Sequence, residues 1–528
     1  DSRIFAGVSV RTISESEILK AIKRLRPTFS FGDDCVTSFF LKDCVSVLVP
    51  PLRKIFNLVI DTSVYPVSWK VEGVCPIFKS GDKDKIENYR PVTILSNISK
   101  VFESILYKHI YYNVKNIISD DQHGFVSGRS TVTNLSCITH YLAKALDNNS
   151  QVDVIYTDFS KAFDRMDHKV LLNKLNNYGF SSPLLSLIDS YLQGRFNYVM
   201  YRGFISQKFI VKSGVPQGSN LGPLLFLLFI NDITTIFNIR VLLFADDLKL
   251  FTVINSAADC IQLQEILDLL QQWCLHNKLN LNISKCKIVS FCRKVTTISF
   301  DYSLGGINLT RCSNIKDLGI LFDSELNFNL HIRNNVASGF KTLGFIIRSC
   351  RDFNSLKCLK SLYYACVRSK LEYGALIWSP YYKKYEESIE SVQRKFLKYL
   401  WFKESGSYPV QGIDNRILCN AFNFTCLSDR RTQYFVVFLH NLLHNKIISK
   451  ELIPSISFNV PLTNLRSFRT FYVPKASTNI LFRSPIYKMC DTFNMLMNNY
   501  DIHLIKKKDI MIELRKHFCT NTLRQFSV

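Results

Sequence analysis

The sequence lacks the features that mark several large classes of protein. It has no low-complexity run and no repeat with a period of roughly 20–50 residues, which excludes a disordered chain and a repeat array. Its longest apolar stretch, near Leu221–Ile230, is too short to span a bilayer, so no membrane partner is expected. Its 16 cysteines include no pair three residues apart, and neither a zinc ribbon nor a zinc knuckle is indicated. Signal-peptide features are missing, so an intracellular, reducing compartment with free thiols is expected.

Acidic residues are scarce relative to basic ones. The chain carries 66 Lys and Arg against 43 Asp and Glu, a formal net charge of +23. Residues 331–528 hold 30 Lys and Arg against 13 Asp and Glu, a net +17, whereas residues 1–330 hold 36 against 30, a net +6. Because Lys and Arg release counterions from a phosphate backbone, this excess predicts nucleic acid as a partner. A well-solvated basic surface is the plain alternative.

The order of the apolar patterns predicts a mixture of helices and strands. A helix is expected to follow Thr12, and a second one to run over Pro51–Ile60. Val71–Phe78 is typical of a strand, and Gln151–Phe159 alternates like a strand with one inward face. After about residue 327 the spacing becomes mainly helical.

Two adjacent aspartates mark one predicted turn. Phe244-Ala245-Asp246-Asp247 joins the apolar runs Val241–Phe244 and Leu248–Val253, which predict two β-strands. A hairpin would place both carboxylates at its tip, where they repel each other and favour a bound cation. Mg²⁺ suits this position, because it prefers oxygen ligands and leaves coordination sites for phosphates. A solvated Asp-Asp turn is the alternative that this motif alone leaves open.

A third carboxylate, Asp158, ends the alternating strand, where an acidic residue is unexpected on the inward face. If that strand lies beside the hairpin, Asp158, Asp246 and Asp247 meet and can hold two Mg²⁺ ions about 4 Å apart, with Mn²⁺ as an alternative ion. One ion would lower the pKa of a primer 3′-hydroxyl, and the other would bind the triphosphate and the leaving pyrophosphate. We therefore expect these three aspartates to be the metal ligands and the catalytic residues of a nucleotidyl transfer.

With these residues in place, the chain resembles the reverse transcriptases of non-long-terminal-repeat retrotransposons of the jockey and LINE kind. The likeness covers nearly the whole chain. Single blocks are weak signals, but their order and their gaps make the set specific. In chain order the blocks are Pro76–Asp82, Asn88–Val92, Gln122–Phe125, Arg129–Thr131, Tyr156–Asp164, Gly214–Ser219, Phe244–Asp247, Asn282–Lys285, Leu318–Ile320, Leu371–Gly374, Trp378–Pro380 and Ser484–Ile486.

This resemblance implies an α+β right-hand polymerase fold with fingers, a palm built on an antiparallel sheet, and a helical thumb. Two departures from the family pattern are mild, since Asn220 and Cys286 stand where an apolar residue and Thr are common. The expected organisation is a helical N-terminal extension in residues 1–70, fingers and palm in residues 71–326, a helical thumb in residues 327–430, and a basic C-terminal region of unknown role in residues 431–528.

Three cations are expected to bind the incoming nucleotide within such a fold. Lys79 and Arg90 lie on the predicted fingers strands and are candidates to grip the triphosphate, since arginine suits bidentate phosphate contact. Lys285 is expected to protonate the leaving pyrophosphate or to neutralise it. For Lys79 and Arg90 the alternative is an ordinary surface cation.

Three further residues are expected to contact the nucleotide through its sugar or its base pair. In this family an aromatic side chain at the position of Phe163 lies beneath the sugar and clashes with a 2′-hydroxyl, which selects deoxynucleotides. Core packing is the alternative for Phe163. Gln217 and Gly218 lie in a loop where the backbone is expected to approach the template–nucleotide pair, which explains the glycine.

A basic amphipathic helix is expected in the thumb. Ile389, Val392, Phe396 and Leu400 form its apolar stripe. A packed surface helix is the plain interpretation, and contact with nucleic acid is the functional one. The cations that would touch the phosphates of a template–primer duplex are Arg394, Lys395 and Lys398.

The function predicted from these features is RNA-directed DNA synthesis. The expected partners are an RNA template, a DNA primer or target, and dNTPs, and the resemblance implies action in the nucleus. Residues 1–60 lead almost directly into the fingers, so target nicking is expected from an endonuclease outside this chain. Two alternatives stay open. An RNA-directed RNA polymerase shares the two-metal chemistry, although Phe163 and Ala245 argue against it, and a decayed copy of the element would bind RNA without catalysis.

Overall fold

The structure is a computed structural model, and it places a central β-sheet between two hydrophobic cores. One core draws side chains from residues 8–309 and the other from residues 135–514. Neighbouring sheet residues alternate between them: Ile155 packs in the first core, and Val154 and Tyr156 pack in the second. The residues that the structure describes are 7–294, 296–460, 469–497 and 499–524.

Three helices open the described chain. The first begins at a capping box formed by Ser14 and Glu17, close to the predicted start. The predicted second helix is longer than expected, because it begins at Val45 and accommodates Pro50 and Pro51 in its interior. The helices are α1 (Glu15–Arg24), α2 (Ser38–Asp43) and α3 (Val45–Thr62).

A second sheet and most of the helices around it lie between residues 71 and 211. The elements are β1 (Val71–Phe78), β2 (Tyr89–Ile94), α4 (Asn97–Val114), α5 (Thr131–Asp147), β3 (Gln151–Thr157), α6 (Ala162–Arg165), α7 (His168–Asn177), α8 (Ser182–Leu192), β4 (Arg195–Tyr201), β5 (Phe204–Ile205) and β6 (Phe209–Val211). In this sheet β1 pairs antiparallel with β2 and parallel with β4, and β5 and β6 both pair with β4. The Lys79 N–H donates to the Asn88 carbonyl at 2.8 Å, which extends the β1–β2 pair toward its turn.

The central sheet is completed by later strands. The elements are α9 (Gly222–Ile230), β7 (Arg240–Phe244), β8 (Asp247–Ile254), α10 (Ala257–His276), β9 (Lys287–Phe291), β10 (Ser303–Leu304), β11 (Ile307–Asn308), β12 (Thr310–Arg311), β13 (Asn314–Asp317) and β14 (Ile320–Asp323). Its strand order is β12-β9-β3-β8-β7, so β3 lies in the middle and runs antiparallel to both neighbours. Every residue of β3 is buried, and Asp158 lies just beyond its end. The expected strand with one inward face is therefore corrected to a strand covered on both faces.

From residue 329 the described chain is mainly helical, as predicted, apart from one short hairpin. The elements are α11 (Asn329–Ser349), α12 (Leu356–Tyr363), α13 (Ser369–Glu372), α14 (Ala375–Trp378), α15 (Lys383–Ser405), α16 (Asn415–Ala421), α17 (Leu427–Leu443), β15 (Ser457–Phe458), β16 (Phe471–Tyr472), α18 (Asn479–Phe482), α19 (Pro485–Leu496) and α20 (Lys507–Arg524). The predicted α+β class is confirmed. Across the parts of the chain that the structure describes, every helix is too short or too polar to cross a bilayer.

Candidate active site

The acidic turn lies between β7 and β8, where Phe244 pairs with Asp247 and leaves Ala245 and Asp246 at the tip. Ala245 has a φ of 58°, a left-handed conformation that is unfavourable for a residue with a β-carbon. Gln122 holds it there. The Gln122 side-chain oxygen accepts the Ala245 N–H at 2.9 Å, and its amide nitrogen donates to the Ala245 carbonyl at 3.3 Å. A side chain from a distant loop thus clamps the turn that carries both aspartates.

Gly124 allows this loop to approach the turn. A β-carbon on Gly124 would lie 2.3 Å from the Ala245 nitrogen, far inside van der Waals contact. The Gly124 N–H also donates to the Gln122 side-chain oxygen at 2.8 Å, so one oxygen serves both segments. The sequence alone gave this block no role beyond the family resemblance. Its partner is 123 residues away in the chain, and residue spacing gives no sign of that contact.

Asp158 follows β3 directly and lies beside the hairpin, because Thr157 at the end of β3 pairs with Leu248. The Asp158 carbonyl accepts the Asn282 N–H at 2.7 Å, which brings the block ending in Lys285 to the same place. The Lys285 ammonium lies 3.0 Å from Asp158 Oδ2. The structure therefore brings the three predicted aspartates and Lys285 to one end of the central sheet.

The hairpin carboxyls are destabilised in their charged forms. Although Asp247 opens to solvent on one side, desolvation by the surrounding protein and then the charge of Asp246 raise the pKa of Asp247 to about 6. Burial, and then the charge of Asp158, raise the pKa of Asp246 as well. Lys79 and Arg90 oppose that shift and lower the pKa of Asp246, so both predicted fingers cations act on this carboxyl. Their side chains are exposed and free to reach a ligand above the sheet.

These carboxyls fit a divalent cation whose coordination is completed by substrate. Burial first, and the charge of a neighbouring carboxylate second, disfavour the ionised forms and raise both pKa values, and a bound cation would offset both effects. Within the described ranges, no set of three or more His, Cys, Asp or Glu side chains forms a metal cage by itself. Mg²⁺ is commonly held by one or two carboxylates together with water and substrate phosphates, so an open site of this kind suits it.

Phe163 lies in α6 with its ring half-buried. The ring stacks on the buried ring of Phe226 at a centroid distance of 4.2 Å and meets the edge of Phe125 at 6.2 Å. The backbone of Phe163 lies tightly against Gly214, since a β-carbon on Gly214 would be only 2.5 Å from the Phe163 carbonyl oxygen. Val215 also donates its N–H to that oxygen at 2.9 Å. One face of the ring is therefore packed in the core, and its height relative to the sheet is set by the neighbouring loop.

Gln217 and Gly218 link that loop to the fingers sheet. The Gln217 amide donates to Asp164 Oδ1 at 2.8 Å, and the Gln217 carbonyl accepts the Thr93 N–H at 2.8 Å. Gly218 has a φ of 128°, and a β-carbon there would lie 2.9 Å from the Thr93 carbonyl oxygen. Glycine is required at this close approach between the loop and β2.

The predicted thumb cations lie on the side of α15 away from its apolar stripe, but their surroundings differ. The apolar stripe of α15 is buried as predicted. Arg394 lines a pocket of about 350 Å³ together with Glu390, and among the described residues its Nε atom is buried without a hydrogen-bond partner. The Lys395 ammonium lies 5.5 Å from the centroid of the Phe340 ring on α11, and Lys398 is half-buried. Their contact with a nucleic-acid duplex stays a prediction.

Sequence reasoning missed a buried ionic network beneath the hairpin. The Lys249 ammonium, on β8, lies 2.6 Å from Asp317 Oδ2 and 2.6 Å from Asn134 Oδ1, and both charged side chains are almost fully buried. The Asn134 amide donates to the Leu243 carbonyl on β7 at 3.0 Å. The available signal was a lysine in the middle of an apolar strand. Its partners come from α5 and β13, which the spacing of the sequence does not connect.

Comparison with known proteins is consistent with this geometry. The family model described as "Reverse transcriptase (RNA-dependent DNA polymerase)" matches residues 79–347, just over half of the chain. The probable RNA-directed DNA polymerase from transposon BS of Drosophila melanogaster is 27% identical over 464 residues, which cover 85% of this chain and 51% of that protein.

Two further likenesses were found. The RNA-directed DNA polymerase from the mobile element jockey of Drosophila melanogaster is 27% identical over 408 residues, covering 74% of this chain and 44% of that protein. A solved structure of apo telomerase from Candida tropicalis, truncated from its C-terminal domain, aligns with a TM-score of 0.33 at 11% identity, over 52% of this chain and 59% of that one. The chain spans about half the length of the curated relatives it matches.

Proposed function

The chain belongs to the reverse transcriptase (RNA-dependent DNA polymerase) family, which has the right-hand polymerase fold, and we propose that it synthesises DNA on an RNA template for a non-long-terminal-repeat retrotransposon. One observation carries this proposal: three aspartates and Lys285 meet at one end of the central sheet. The names of the relatives, polymerases of transposon BS and of jockey, support the kind of element.

The three aspartates position the reacting groups. Asp158, Asp246 and Asp247 hold two divalent cations, Mg²⁺ or Mn²⁺, which supply charge neutralisation for the primer hydroxyl and the phosphates. The clamp from Gln122 keeps the hairpin tip in one conformation, as in-line transfer requires. The Lys285 ammonium reaches the space beside Asp158, where it neutralises or protonates the leaving pyrophosphate.

The fingers and the loop beside β3 select the nucleotide. Lys79 and Arg90 grip the triphosphate, and their effect on the pKa of Asp246 supports a position close to the metals. Phe163 forms the floor beneath the sugar. Because Phe226 packs against one face of that ring, the ring has no room to retreat from a 2′-hydroxyl. Gln217 and Gly218 carry the backbone that meets the base pair of the template and the nucleotide.

The proposed partners are an RNA template, a DNA primer and dNTPs. The relatives are about twice as long as the matched part of their sequences. Target nicking is proposed to come from an endonuclease outside this chain, with the 3′-hydroxyl at the nick as the primer.

Primer extension with the purified chain tests the proposal. An RNA template with an annealed DNA primer is incubated with dNTPs or rNTPs while Mg²⁺ and Mn²⁺ are varied. Metal-dependent extension with dNTPs is the expected result. Preferential extension with rNTPs would identify an RNA polymerase instead, and RNA binding without extension under any condition would identify a decayed copy.

Phe163→Val tests the sugar floor in the same assay. We expect the ratio of ribonucleotide to deoxynucleotide incorporation to rise by about tenfold, because loss of the ring removes the clash with the 2′-hydroxyl. Extension with dNTPs serves as the control for folding. An unchanged ratio in an active enzyme would mean that the ring only packs against Phe226.

A further inference from the structure

Two motif blocks have no role in the proposed chemistry, and the structure brings them together. Trp378–Pro380 and Ser484–Ile486 lie near each other, and the Lys488 ammonium donates to Ser379 Oγ at 3.1 Å. Beside them opens a pocket of about 680 Å³, which we call the basic pocket. Its walls come from the loop after β9, the segment before α11, the residue before α15, and the segment that leads into α18. That volume is typical of a ligand site.

Cations dominate the basic pocket. Its only carboxylate among the described lining residues is Asp491. In the ranges that the structure describes, no carboxylate forms an ion pair with any of the pocket's cations. Four cations against one carboxylate give this concave site an excess of positive charge, which favours an anionic ligand. The cations are Arg293, Arg469, Lys475 and Arg483.

One wall of the pocket is anchored to the palm. The N–H groups of Ser477 and Thr478 donate to the two carboxylate oxygens of Asp147 at the end of α5, at 3.1 and 2.5 Å. The segment that carries Lys475 is thereby held against a helix that packs on the central sheet. This wall of the pocket is therefore tied to the fold by two hydrogen bonds.

Aromatic side chains flank the cations. The Arg483 guanidinium lies 3.5 Å from the centroid of the Tyr381 ring and 5.6 Å from that of Tyr382. The Arg483 Nε atom is buried and has no hydrogen-bond partner among the described residues. Tyr381 and Tyr382 are 56% and 55% exposed. Exposed tyrosines next to arginine form the kind of surface on which unpaired bases stack.

The basic pocket is far from the catalytic aspartates. Phe291, at the end of β9, pairs with Val152 near the start of β3. Asp158 lies six residues after Val152, just beyond the opposite end of β3. At about 3.3 Å per residue, the loop that carries Arg293 is on the order of 20 Å from the carboxylates. The pocket therefore does not serve the incoming nucleotide.

We propose that the basic pocket binds the phosphodiester backbone of a single strand, and that its occupant is template RNA outside the template–primer duplex. The cations suit phosphates, and Tyr381 and Tyr382 suit unpaired bases, which a duplex would hide. The choice of template RNA as the occupant rests on the proposed function. The same chemistry also suits single-stranded DNA, so the two strands are compared directly.

The test is the salt dependence of binding to an unstructured RNA. The pocket variant carries Arg293→Gln, Arg469→Gln and Lys475→Gln. The matched control carries Lys506→Gln, Lys507→Gln and Lys508→Gln, which remove the same charge from an exposed run in the same region. Each phosphate that is no longer neutralised should flatten the slope of log affinity against log salt by about 0.7, so the slope of the pocket variant should fall by about 2. A slope equal to that of the control overturns the proposal.

A second variant separates stacking from charge. Tyr382→Leu should weaken RNA binding by roughly tenfold and leave the salt slope unchanged, because stacking is not ionic. If Tyr382→Leu binds RNA as tightly as the parent does, Tyr382 is not part of the site. Thermal melting of each variant checks that the fold is retained.

Two comparisons identify the occupant. If the pocket variant loses more affinity for RNA than for single-stranded DNA, the template assignment is supported. A loss of affinity confined to a duplex overturns the single-strand assignment. Extension by the pocket variant on a template with an overhang of one or two nucleotides should stay within about twofold of the parent, because so short a strand does not reach a pocket on the order of 20 Å from the aspartates. Failure of the parent in that assay would count against the proposed polymerase and not against the pocket.

Discussion

The two ends of the central sheet use charge in opposite ways. At the catalytic end, a few carboxyls are crowded so closely that burial and mutual repulsion raise the pKa of Asp246 and Asp247, and a clamped turn fixes them. At the other end, the cations of the basic pocket have no ion-pair partner in the described chain. At the first end the exact position of each carboxyl matters, whereas at the second end the number of cations matters. We therefore expect a single substitution among the carboxyls to lower primer extension strongly. Substitutions in the pocket should instead add to one another in their effect on RNA binding.

The largest effect is expected for Asp158→Asn. Removing one charge from the metal site should lower the rate of primer extension by about 10³ or more, because the missing charge stabilises the transition state rather than the bound nucleic acid. Primer extension and RNA binding are measured together, and binding should stay within about twofold. Asp301→Asn, at an exposed carboxylate outside the site, is the control. Substantial turnover by Asp158→Asn would remove this residue from the site and weaken the contrast between the two ends.

Gly124→Ala should have the next largest effect. The new methyl group would lie 2.3 Å from the Ala245 nitrogen, so the hairpin tip must shift, and a displacement near 1 Å costs about 10² in rate. The rate constant for extension is the measurement. Gly344→Ala is the matched control, because its β-carbon would meet only the flexible end of Arg348 at 3.3 Å. Equal rates for the two variants would show that the turn tolerates movement.

The dependence on pH should differ between the two ends. Asp247 has its pKa raised to about 6, so it takes up a proton below that pH and then binds a cation poorly. Extension should fall by about tenfold per pH unit below 6, whereas RNA affinity should stay flat, since arginine and lysine do not titrate there. In the absence of metal, lowering the pH should increase the stability of the fold, although it decreases the activity. A raised acid pKa favours the folded state at low pH, and this contribution disappears as the pH rises through about 6.

Both quantities are measured between pH 5 and pH 8, together with thermal melting in the absence and presence of Mg²⁺. The increase in melting temperature caused by Mg²⁺ should be larger at pH 7 than at pH 5. A rate that does not change with pH in this range would mean that Asp247 is already ionised, and that its neighbours do not destabilise its charge.

The smallest effect is expected in the thumb. Changing Lys395 and Lys398 to Gln should flatten the salt slope for a template–primer duplex by about 0.9 for each phosphate that is no longer neutralised, with shorter products and unchanged nucleotide choice. Arg394→Gln alone should change the slope little, because Arg394 lies in a pocket beside Glu390. Identical slopes and product lengths for the parent and the double variant would leave duplex binding to other cations.

The placement of the three aspartates could be largely predicted from the sequence, since the signals for it are local. The apolar runs on both sides of Asp246 and Asp247 indicate a hairpin, and the structure has that hairpin. Lys249 shows where local signals fail. A lysine inside a strand indicates solvent, yet Lys249 is buried because Asp317, 68 residues later, lies against it. Gly124 is similar, because its need for glycine comes from a backbone contact across the fold and not from its own φ.

The helices were predicted to exist, but their bounds were not predicted accurately. The start of α3 was misplaced because Pro50 and Pro51 usually mark the beginning of a helix, whereas here they lie inside one. The basic pocket was not predicted at all. Its cations come from segments as far apart as Arg293 and Arg483, and only tertiary packing brings them to one place.

Because the central sheet lies between two cores, its two faces are buried at different times during synthesis of the chain. The first core is complete once residue 309 has left the ribosome, but the second draws on residues as late as Leu514. At about 5–20 residues per second, the face of the sheet toward the second core waits for about 10–40 s with only the part of its cover that earlier elements such as α5 supply. During that interval we expect apolar side chains of the second core, such as Val154 and Val289, to be less completely covered than in the finished fold. Aggregation of the newly made chain should therefore depend on how quickly residues 310–514 follow the first core.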